Sequence, residues 1–160
     1  MGKTRRNSLL LIMGLCLTFA SCDSNMIYEE NFEVDSDGWR ADDIKTFTFD
    51  IEDTISPFNF WINFRTSTDY PYSNLFMFLY SEYPDGYESK DTLQFILAAP
   101  NGEWQGESSG TVVENRFLVS QGPLKKTGSY TFKLQQAMRD EVLPEILDVG
   151  FRVELMELNQ

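Results

Sequence analysis

The chain has 160 residues with 25 acidic and 13 basic side chains, no histidine and 2 cysteines, which gives a formal net charge of -12. The absence of histidine excludes catalytic triads and metal sites that depend on an imidazole group. The acidic charge argues against a nucleic-acid partner, because binding to a phosphate backbone requires clustered lysine and arginine.

The start of the chain is predicted to be a targeting segment followed by a tether. Three basic side chains precede an apolar run at residues 9–17, which is typical of a secretory signal and is shorter than the roughly 20 residues that span a bilayer. The run ends in small residues before Cys22, as in bacterial lipoproteins. We therefore predict a cleaved signal at 1–21, a lipidated Cys22 with a short tether over 22–28, and one domain over 29–160. An ordinary signal peptide with a chance cysteine is the alternative.

Loss of the signal would also change the chemistry of the chain. Three positive charges leave with residues 1–21, so the net charge falls from -12 to -15. A body of that charge is not attracted to an anionic membrane surface, so the lipid would have to hold it there. Cys16 leaves with the signal and Cys22 carries lipid, so no thiol remains for a disulfide or a zinc site.

The rest of the chain alternates between apolar and polar residues, which is typical of half-buried strands. In chain order the predicted strands cover residues 46–51, 58–65, 75–80, 93–98, 116–119, 130–135 and 149–155. A short helical turn is predicted within residues 136–143, ended by Pro144. Gly150 inside a strand indicates a bulge or a close backbone approach. These elements predict an all-β fold: a single antiparallel β-sandwich, jelly-roll-like, with about seven or eight strands.

No metal or catalytic site is predicted. The acidic segment from Asp35 to Trp39 resembles a calcium loop, but Trp39 stands where a third oxygen ligand is needed, so an acidic turn is favoured. Pairs of carboxylates suited to glycoside hydrolysis are expected by chance in so acidic a domain. The sequence therefore predicts no catalytic residue, no metal and no cofactor other than a covalent lipid on Cys22.

Aromatic and amide side chains in three connecting segments form the candidate binding surface. Its residues are Arg65, Tyr70, Tyr72, Asn74, Trp104 and Arg139. Sugars bind to aromatic rings flanked by amides and acids, so a carbohydrate is one candidate ligand. The alternative, which we favour, is structural: Tyr70 and Tyr72 cover the end of the sandwich, Trp104 closes the core, and Arg139 pairs with an acid.

The same segments resemble the gliding-motility lipoprotein family GldH. The resemblance rests on Cys22, on an Arg-x4-Tyr-Pro-Tyr-Ser-Asn-Leu run at 65–75, on Asn-Gly-x-Trp-x-Gly at 101–106, on Gly-Ser-Tyr at 128–130, on Gln-Gln-Ala-Met-Arg at 135–139 and on Val-Gly at 149–150. It implies a cell-envelope lipoprotein needed for surface gliding and linked to adhesin secretion, without catalytic activity. Cys22 is the functional residue that it carries over.

These observations lead to one functional hypothesis and two alternatives. The first is a non-enzymatic lipoprotein, anchored in the outer membrane through Cys22 and facing the periplasm, that docks on other envelope proteins of the gliding and secretion apparatus. The second is a carbohydrate-binding lipoprotein that uses the rings of Tyr70, Tyr72 and Trp104. A glycan hydrolase is the third and least supported.

Overall fold

The computed structural model describes residues 25–156, which form eleven β-strands. The strands are β1 (Met26–Glu33), β2 (Trp39–Arg40), β3 (Lys45–Ile51), β4 (Pro57–Ser67), β5 (Asn74–Glu82), β6 (Glu88–Ile96), β7 (Glu107–Ser109), β8 (Val112–Pro123), β9 (Gly128–Gln136), β10 (Val142–Leu143) and β11 (Ile146–Leu155). Between residues 25 and 156 there is no helix long and apolar enough to cross a membrane.

The eight long strands pair in a nested antiparallel order. The first pairs with the last, β1 with β11, and the pairs β3 with β9, β4 with β8 and β5 with β6 follow inside it. Pairing of β11 with β4 and of β5 with β9 joins them into a five-stranded sheet, β1-β11-β4-β8-β7, and a four-stranded sheet, β3-β9-β5-β6. The short strands β2 and β10 form a separate ribbon. Two sheets with this nesting form a jelly roll, so the predicted all-β sandwich is confirmed.

The core lies between the two sheets and is rich in phenylalanine. Phe151 of β11 contacts Phe132 of β9 and Phe47 of β3, with ring centroids 5.1 and 5.6 Å apart. Towards the other end, Phe64 of β4 contacts Phe95 of β6 at 5.6 Å. In each pair, one ring comes from one sheet and the second ring from the opposite sheet. Full burial of a phenylalanine side chain contributes about 1.5 to 3 kcal/mol to the free energy of folding. These contacts hold the sheets together.

Strand β4 shows how sequence alternation produces the two faces of the five-stranded sheet. Its inward side chains are Phe58, Phe60, Ile62 and Phe64, and all are buried. Its outward side chains are Asn59, Trp61, Asn63 and Arg65. Asn63 is only 7% exposed although it points outward, so other side chains must cover this part of the outer face.

The predicted helical turn at residues 136–143 is wrong. Strand β9 continues to Gln136, and Val142 and Leu143 form β10. The intervening loop is held by the Gln136 side chain, which donates to the main-chain oxygen of Asp140 (2.8 Å) and accepts from the main-chain N–H of Met138 (2.9 Å). Because one side chain satisfies both backbone groups, the segment has no need of helical hydrogen bonds.

The first strand was not singled out by sequence analysis. Strand β1 begins at Met26, so residues 26–28, assigned above to the tether, pair with β11. Tyr28 and Phe32 pack on Phe49 and Phe47 with ring centroids 5.3 and 5.2 Å apart. Their spacing of four residues and the acidic residues between them conceal the period of two, because an edge strand buries few of its side chains.

Candidate functional site

The predicted lipid attachment residue Cys22 lies outside the described residues, as does the predicted signal at 1–21. Both stay predictions. Residues 23–25 separate Cys22 from the start of β1 at Met26. Since a fully extended chain spans about 3.5 Å per residue, an anchor on Cys22 would hold the β1 edge close to the membrane.

Three of the predicted binding residues meet where β4 leads into β5. Tyr70 is 4% exposed, and its hydroxyl donates a hydrogen bond to the main-chain oxygen of Asn74 (3.1 Å). Its ring meets that of Tyr72 edge-on at 5.7 Å, and the Tyr72 hydroxyl donates to Asp140 (2.5 Å). Burial raises the pKa of Tyr70, and the hydrogen bond to Asp140 raises the pKa of Tyr72. This arrangement closes the end of the core, which supports the structural alternative for these rings.

Trp104 and Arg139 lie in two other loops. Trp104 is half-buried, packs against the core and forms an isolated β-bridge with Ala98. The adjacent main-chain N–H of Gln105 donates to the oxygen of Leu97 (2.8 Å), which folds the β6–β7 loop back on itself. Arg139 is exposed between β9 and β10. Trp104 therefore has a packing role, as the structural alternative predicts.

Arg65 lies on a different surface, the outward side of the five-stranded sheet, which we call the outer face. Two rows of outward residues run across β1, β11, β4 and β8. They are Asn31, Gly150, Asn63 and Arg116 in one row, and Glu29, Arg152, Trp61 and Leu118 in the next. Arg65 forms an ion pair with Asp148, which is only 5% exposed, and this bond raises the pKa of the Arg65 guanidinium.

An ion-pair network fixes the side chains of the outer face. Arg152 bonds Glu29 through Nη1 (2.8 Å) and Glu154 through Nε (2.9 Å). Glu154 also accepts a hydrogen bond from Nε1 of Trp61 (2.8 Å). Glu29 then extends the network to Arg116, whose Nη2 lies 4.0 Å from its carboxylate. Strands β1, β11, β4 and β8 are thus linked by charged side chains as well as by backbone hydrogen bonds.

A hollow of about 260 Å³ opens in the outer face, lined by Glu29, Asn31, Asn63, Phe64, Arg65, Glu114, Arg116 and Asp148. One of these lining residues, Asn31, lies over Gly150 of β11. A Cβ atom at this position would stand 1.8 Å from Oδ1 of Asn31 and 3.0 Å from the main-chain oxygen of Glu30. Sequence analysis predicted a bulge or a close backbone approach at Gly150. The strand register is regular there, and the closest atom is a side-chain one, Oδ1 of Asn31, with the main-chain oxygen of Glu30 farther away.

A second cavity lies at the end of the sandwich formed by the β5–β6 hairpin and the β8–β9 loop. This groove has a volume of about 390 Å³ and is lined by Tyr83, Asp85, Tyr87, Pro123, Leu124, Lys125, Lys126 and Tyr130. Tyr87 is 62% exposed, and its ring lies 5.5 Å from that of Tyr83. A hydrogen bond from Lys126 lowers the pKa of Asp85. The groove thus combines an aromatic wall with a charged pair at its mouth.

The groove continues between the free edges of the two sheets. An adjoining cavity of about 330 Å³ shares Tyr83 and Leu124 with it and is also lined by Leu93 of β6 and Val119 of β8. Within residues 25–156, β6 pairs with β5 alone, and the outer edge of β8 is paired by β7 only over residues 112–114. We call the two cavities together the edge groove. Unpaired strand edges beside apolar surface are typical protein-docking elements.

The acidic segment at Asp35 forms a turn. The N–H of Gly38 donates to the main-chain oxygen of Asp35 (2.9 Å), and Gly38 has a φ of 115°, which favours glycine. Across residues 25–156 no group of three or more His, Cys, Asp or Glu side chains is arranged to hold a metal ion.

Sequence reasoning missed the edge groove and most of the outer face. Arg116 and Arg152 occupy outward positions of predicted strands, so strand alternation could have placed them beside Arg65 had the strand order been known. Tyr83, Tyr87 and Leu124 stand in turn-rich segments, where the sequence carries no period that predicts which side chains converge.

Two curated proteins are similar to this chain along nearly its whole length. A gliding motility lipoprotein GldH homolog from Christiangramia forsetii is 33% identical over 155 residues, which cover 92% of this chain and 94% of the relative. The gliding motility lipoprotein GldH of Flavobacterium johnsoniae is 32% identical over 156 residues, covering 93% of this chain and 96% of the relative.

Two further comparisons concern the family and the fold. A solved structure of infectious bursal disease virus, Gt strain, is 19% identical, and the match covers 85% of this chain and 34% of the viral chain with a TM-score of 0.34. The family model described as GldH lipoprotein matches residues 26–153, which is β1 to within β11. With that match and with relatives above 30% identity, this chain belongs to the GldH lipoprotein family.

Proposed function

We propose that this protein is a non-enzymatic, lipid-anchored accessory or scaffold subunit of the gliding-motility apparatus and of the protein secretion associated with it. The observation that carries the proposal is similarity over 93% of the chain to a protein named for gliding motility. A second relative, named as its homolog, supports it over 92% of the chain. Residues 1–21 would be removed, Cys22 would carry the lipid, and the domain would face the periplasm from the outer membrane.

The chemistry of the domain supports a binding role over a catalytic one. The buried carboxylate of the outer face, Asp148, is held by Arg65, and the partly buried Glu29 and Glu154 are held by Arg152. Arg65 and Arg152 hold these carboxylates on the outer face, where the pairs link neighbouring strands. These three acids therefore have a structural role, and no cofactor besides the lipid is proposed.

The edge groove is the surface we assign to the protein partner. It combines exposed Tyr87, the half-buried side chains of Tyr83 and Leu124, and two strand edges. Tyrosines in partly open grooves are frequent anchors of protein interfaces, because they bury a large ring while the hydroxyl stays hydrogen-bonded. An extended segment of an envelope protein would satisfy both the apolar floor and the free edges.

A native pull-down from the protein's own membranes tests this function. Recovery of gliding or secretion components in fixed stoichiometry is expected for the wild type. It should be lost or reduced for Cys22→Ala, which removes the anchor, and for Tyr87→Ala and Leu124→Ser, which alter the groove. Ile55→Ala is the matched control, because Ile55 is 89% exposed and lies outside the groove. Recovery of the wild-type protein alone would contradict the proposal.

A further inference from the structure

We infer that the outer face of the five-stranded sheet is a binding site for a neutral, polyhydroxylated glycan, seated in the hollow formed by Asn31, Asn63 and Arg116. This activity goes beyond the docking role and uses a different surface from the edge groove. It also differs in place from the loop site predicted for carbohydrate, since the rings of Tyr70, Tyr72 and Trp104 serve the core.

Gly150 leaves room on the outward side of β11 for the side chain of Asn31, which lines the hollow. Gly150 stands between two charged residues, Asp148 and Arg152, on the outward side of β11. The amide of Asn31 lies over the glycine from one side, and Asn63 lies beside it on the other. The hollow of about 260 Å³ lies beside this amide and is also lined by Asn63 and Arg116.

Polar groups without partners face this depression. Asn63 is 7% exposed, and its Oδ1 accepts a hydrogen bond from Nε of Arg116 (3.1 Å). Within residues 25–156 the amino group of Asn63 and the side-chain amide of Asn31 make no hydrogen bond. Both groups are open to solvent, so they are available to a ligand. A ligand that both donates and accepts hydrogen bonds would form hydrogen bonds with these amides.

The charge of the site favours a neutral ligand. Three arginines, Arg65, Arg116 and Arg152, are matched by three carboxylates, Asp148, Glu29 and Glu154. The exposed Glu114 at the rim adds negative charge that repels an anion. A cation would instead meet the half-exposed guanidinium groups of Arg65 and Arg116. Hydroxyl groups suit this mixture, because each can donate to a carboxylate and accept from a guanidinium.

Aromatic surface lies in the next row of the same face. Trp61 is partly exposed, and its Nε1 is fixed by Glu154. Leu118, its neighbour on β8, is 44% exposed. Apolar surface beside fixed polar groups is the composition of small-ligand sites, in which the polar groups give orientation. Because the ion pairs already hold these side chains, little conformational freedom would be lost on binding.

The test uses the lipidated full-length protein in detergent on a glycan array that carries neutral hexose and N-acetylhexosamine oligosaccharides together with sialylated and sulfated ones. Binding to neutral glycans is expected. Arg116→Ala and Asn31→Ala should each weaken it at least about tenfold, because each removes hydrogen bonds to the ligand. Arg139→Ala, an exposed arginine at the loop end, should bind as the wild type does.

The outcomes separate this inference from the docking function. Absence of binding to neutral glycans, preference for the acidic ones, or wild-type binding by both hollow variants would overturn it. Circular dichroism of Arg116→Ala and Asn31→Ala would verify that the variants are folded, which is expected because both side chains are exposed. Partner recovery in the membrane pull-down should survive Arg116→Ala and be lost in Tyr87→Ala, so either proposal can fail without the other.

Discussion

Asp148 explains why Arg65 is needed on the outer face of an acidic protein. It is 5% exposed on an outward position of β11, and it is ion-paired to Arg65 of β4. A carboxylate this buried needs a partner, since an unpaired charge in such a place costs several kcal/mol. The arginine therefore satisfies the acid, and in doing so it also walls one side of the hollow.

Replacement of Asp148 by asparagine should lower the free energy of unfolding by about 1 to 3 kcal/mol, because it removes a charged, mostly buried hydrogen-bond acceptor. Urea denaturation followed by tryptophan fluorescence measures the change, with an unaltered slope expected. Asp42→Asn is the matched control. Asp42 also pairs with an arginine, Arg40, but its side chain is 76% exposed, so no measurable change is expected. Equal losses in both variants would refute the argument.

Tyr70 shows at the residue scale how far sequence reasoning reached. The composition of its loop admitted both a sugar-binding and a structural interpretation. The structure gives the ring a core position, with the hydroxyl bonded to the main chain of Asn74. No sequence period distinguishes a loop tyrosine that turns inward from one that turns outward, because the choice depends on space left by other strands.

At the scale of elements, β11 brings the two ends of the described chain together in the five-stranded sheet. It pairs with β1 on one side and β4 on the other, so it joins the first, third and last long strands of the chain. Seven of its ten residues, from Asp148 to Val153 together with Ile146, are buried. Its alternation was clear enough to predict the strand from residue 149 onward.

Gly150→Ala should destabilise the protein by about 1 to 3 kcal/mol, because the added methyl would overlap Oδ1 of Asn31 and crowd the main chain of Glu30. The double variant with Asn31→Ala should recover part of the loss. Recovery would be incomplete, since the main-chain oxygen of Glu30 is still 3.0 Å from the new Cβ. Thermal unfolding of the two single variants and the double variant measures the coupling. Additive effects would show that Asn31 does not occupy this space.

At the scale of the whole molecule, the distribution of titrating groups predicts the pH dependence of stability. Burial raises the pKa of Tyr28 and Tyr70. A folded-state pKa above the unfolded value gives stability that is fully present below about pH 10 and is lost as pH rises through the folded-state pKa. A hydrogen bond from Lys126 lowers the pKa of Asp85, so that contribution is present above about pH 4 and is lost as pH falls through the lowered pKa.

The free energy of unfolding should therefore be flat between about pH 5 and 9, since the chain has no histidine to titrate there. It should decline above about pH 10 and below about pH 4. Urea midpoints measured across this range at constant ionic strength provide the test. A step in stability between pH 6 and 7 would contradict it.

The edge groove and the outer face lie on different parts of the sandwich. The edge groove opens at the end formed by the β5–β6 hairpin and the β8–β9 loop, while the outer face presents the ion-pair network on β1, β11, β4 and β8. Since β1 is the strand nearest in sequence to Cys22, an anchor there would tether the molecule at the edge of the outer face. A protein partner and a glycan could then be bound at the same time.

The sequence by itself determined the fold class, because strands of this sandwich bury one face and alternation with a period of two records which face that is. It also carried the family resemblance through short motifs in fixed order, which the family match confirms. It did not reveal β1 or the loop at residues 136–141. Strand β1 lies at the edge of its sheet and buries too few side chains to show a period of two. In the loop, hydrogen bonds of the Gln136 side chain take the place of helical ones.

Only the tertiary structure decided which residues form surfaces. Arg65, Arg116 and Arg152 are far apart in the chain, and they meet because β4 lies between β11 and β8. Tyr83 and Leu124 likewise line one groove because a hairpin and a distant loop close the same end of the sandwich. The order of strands in a sheet depends on long-range pairing, which local periodicity does not encode, so convergence of side chains from separate strands follows from the fold alone.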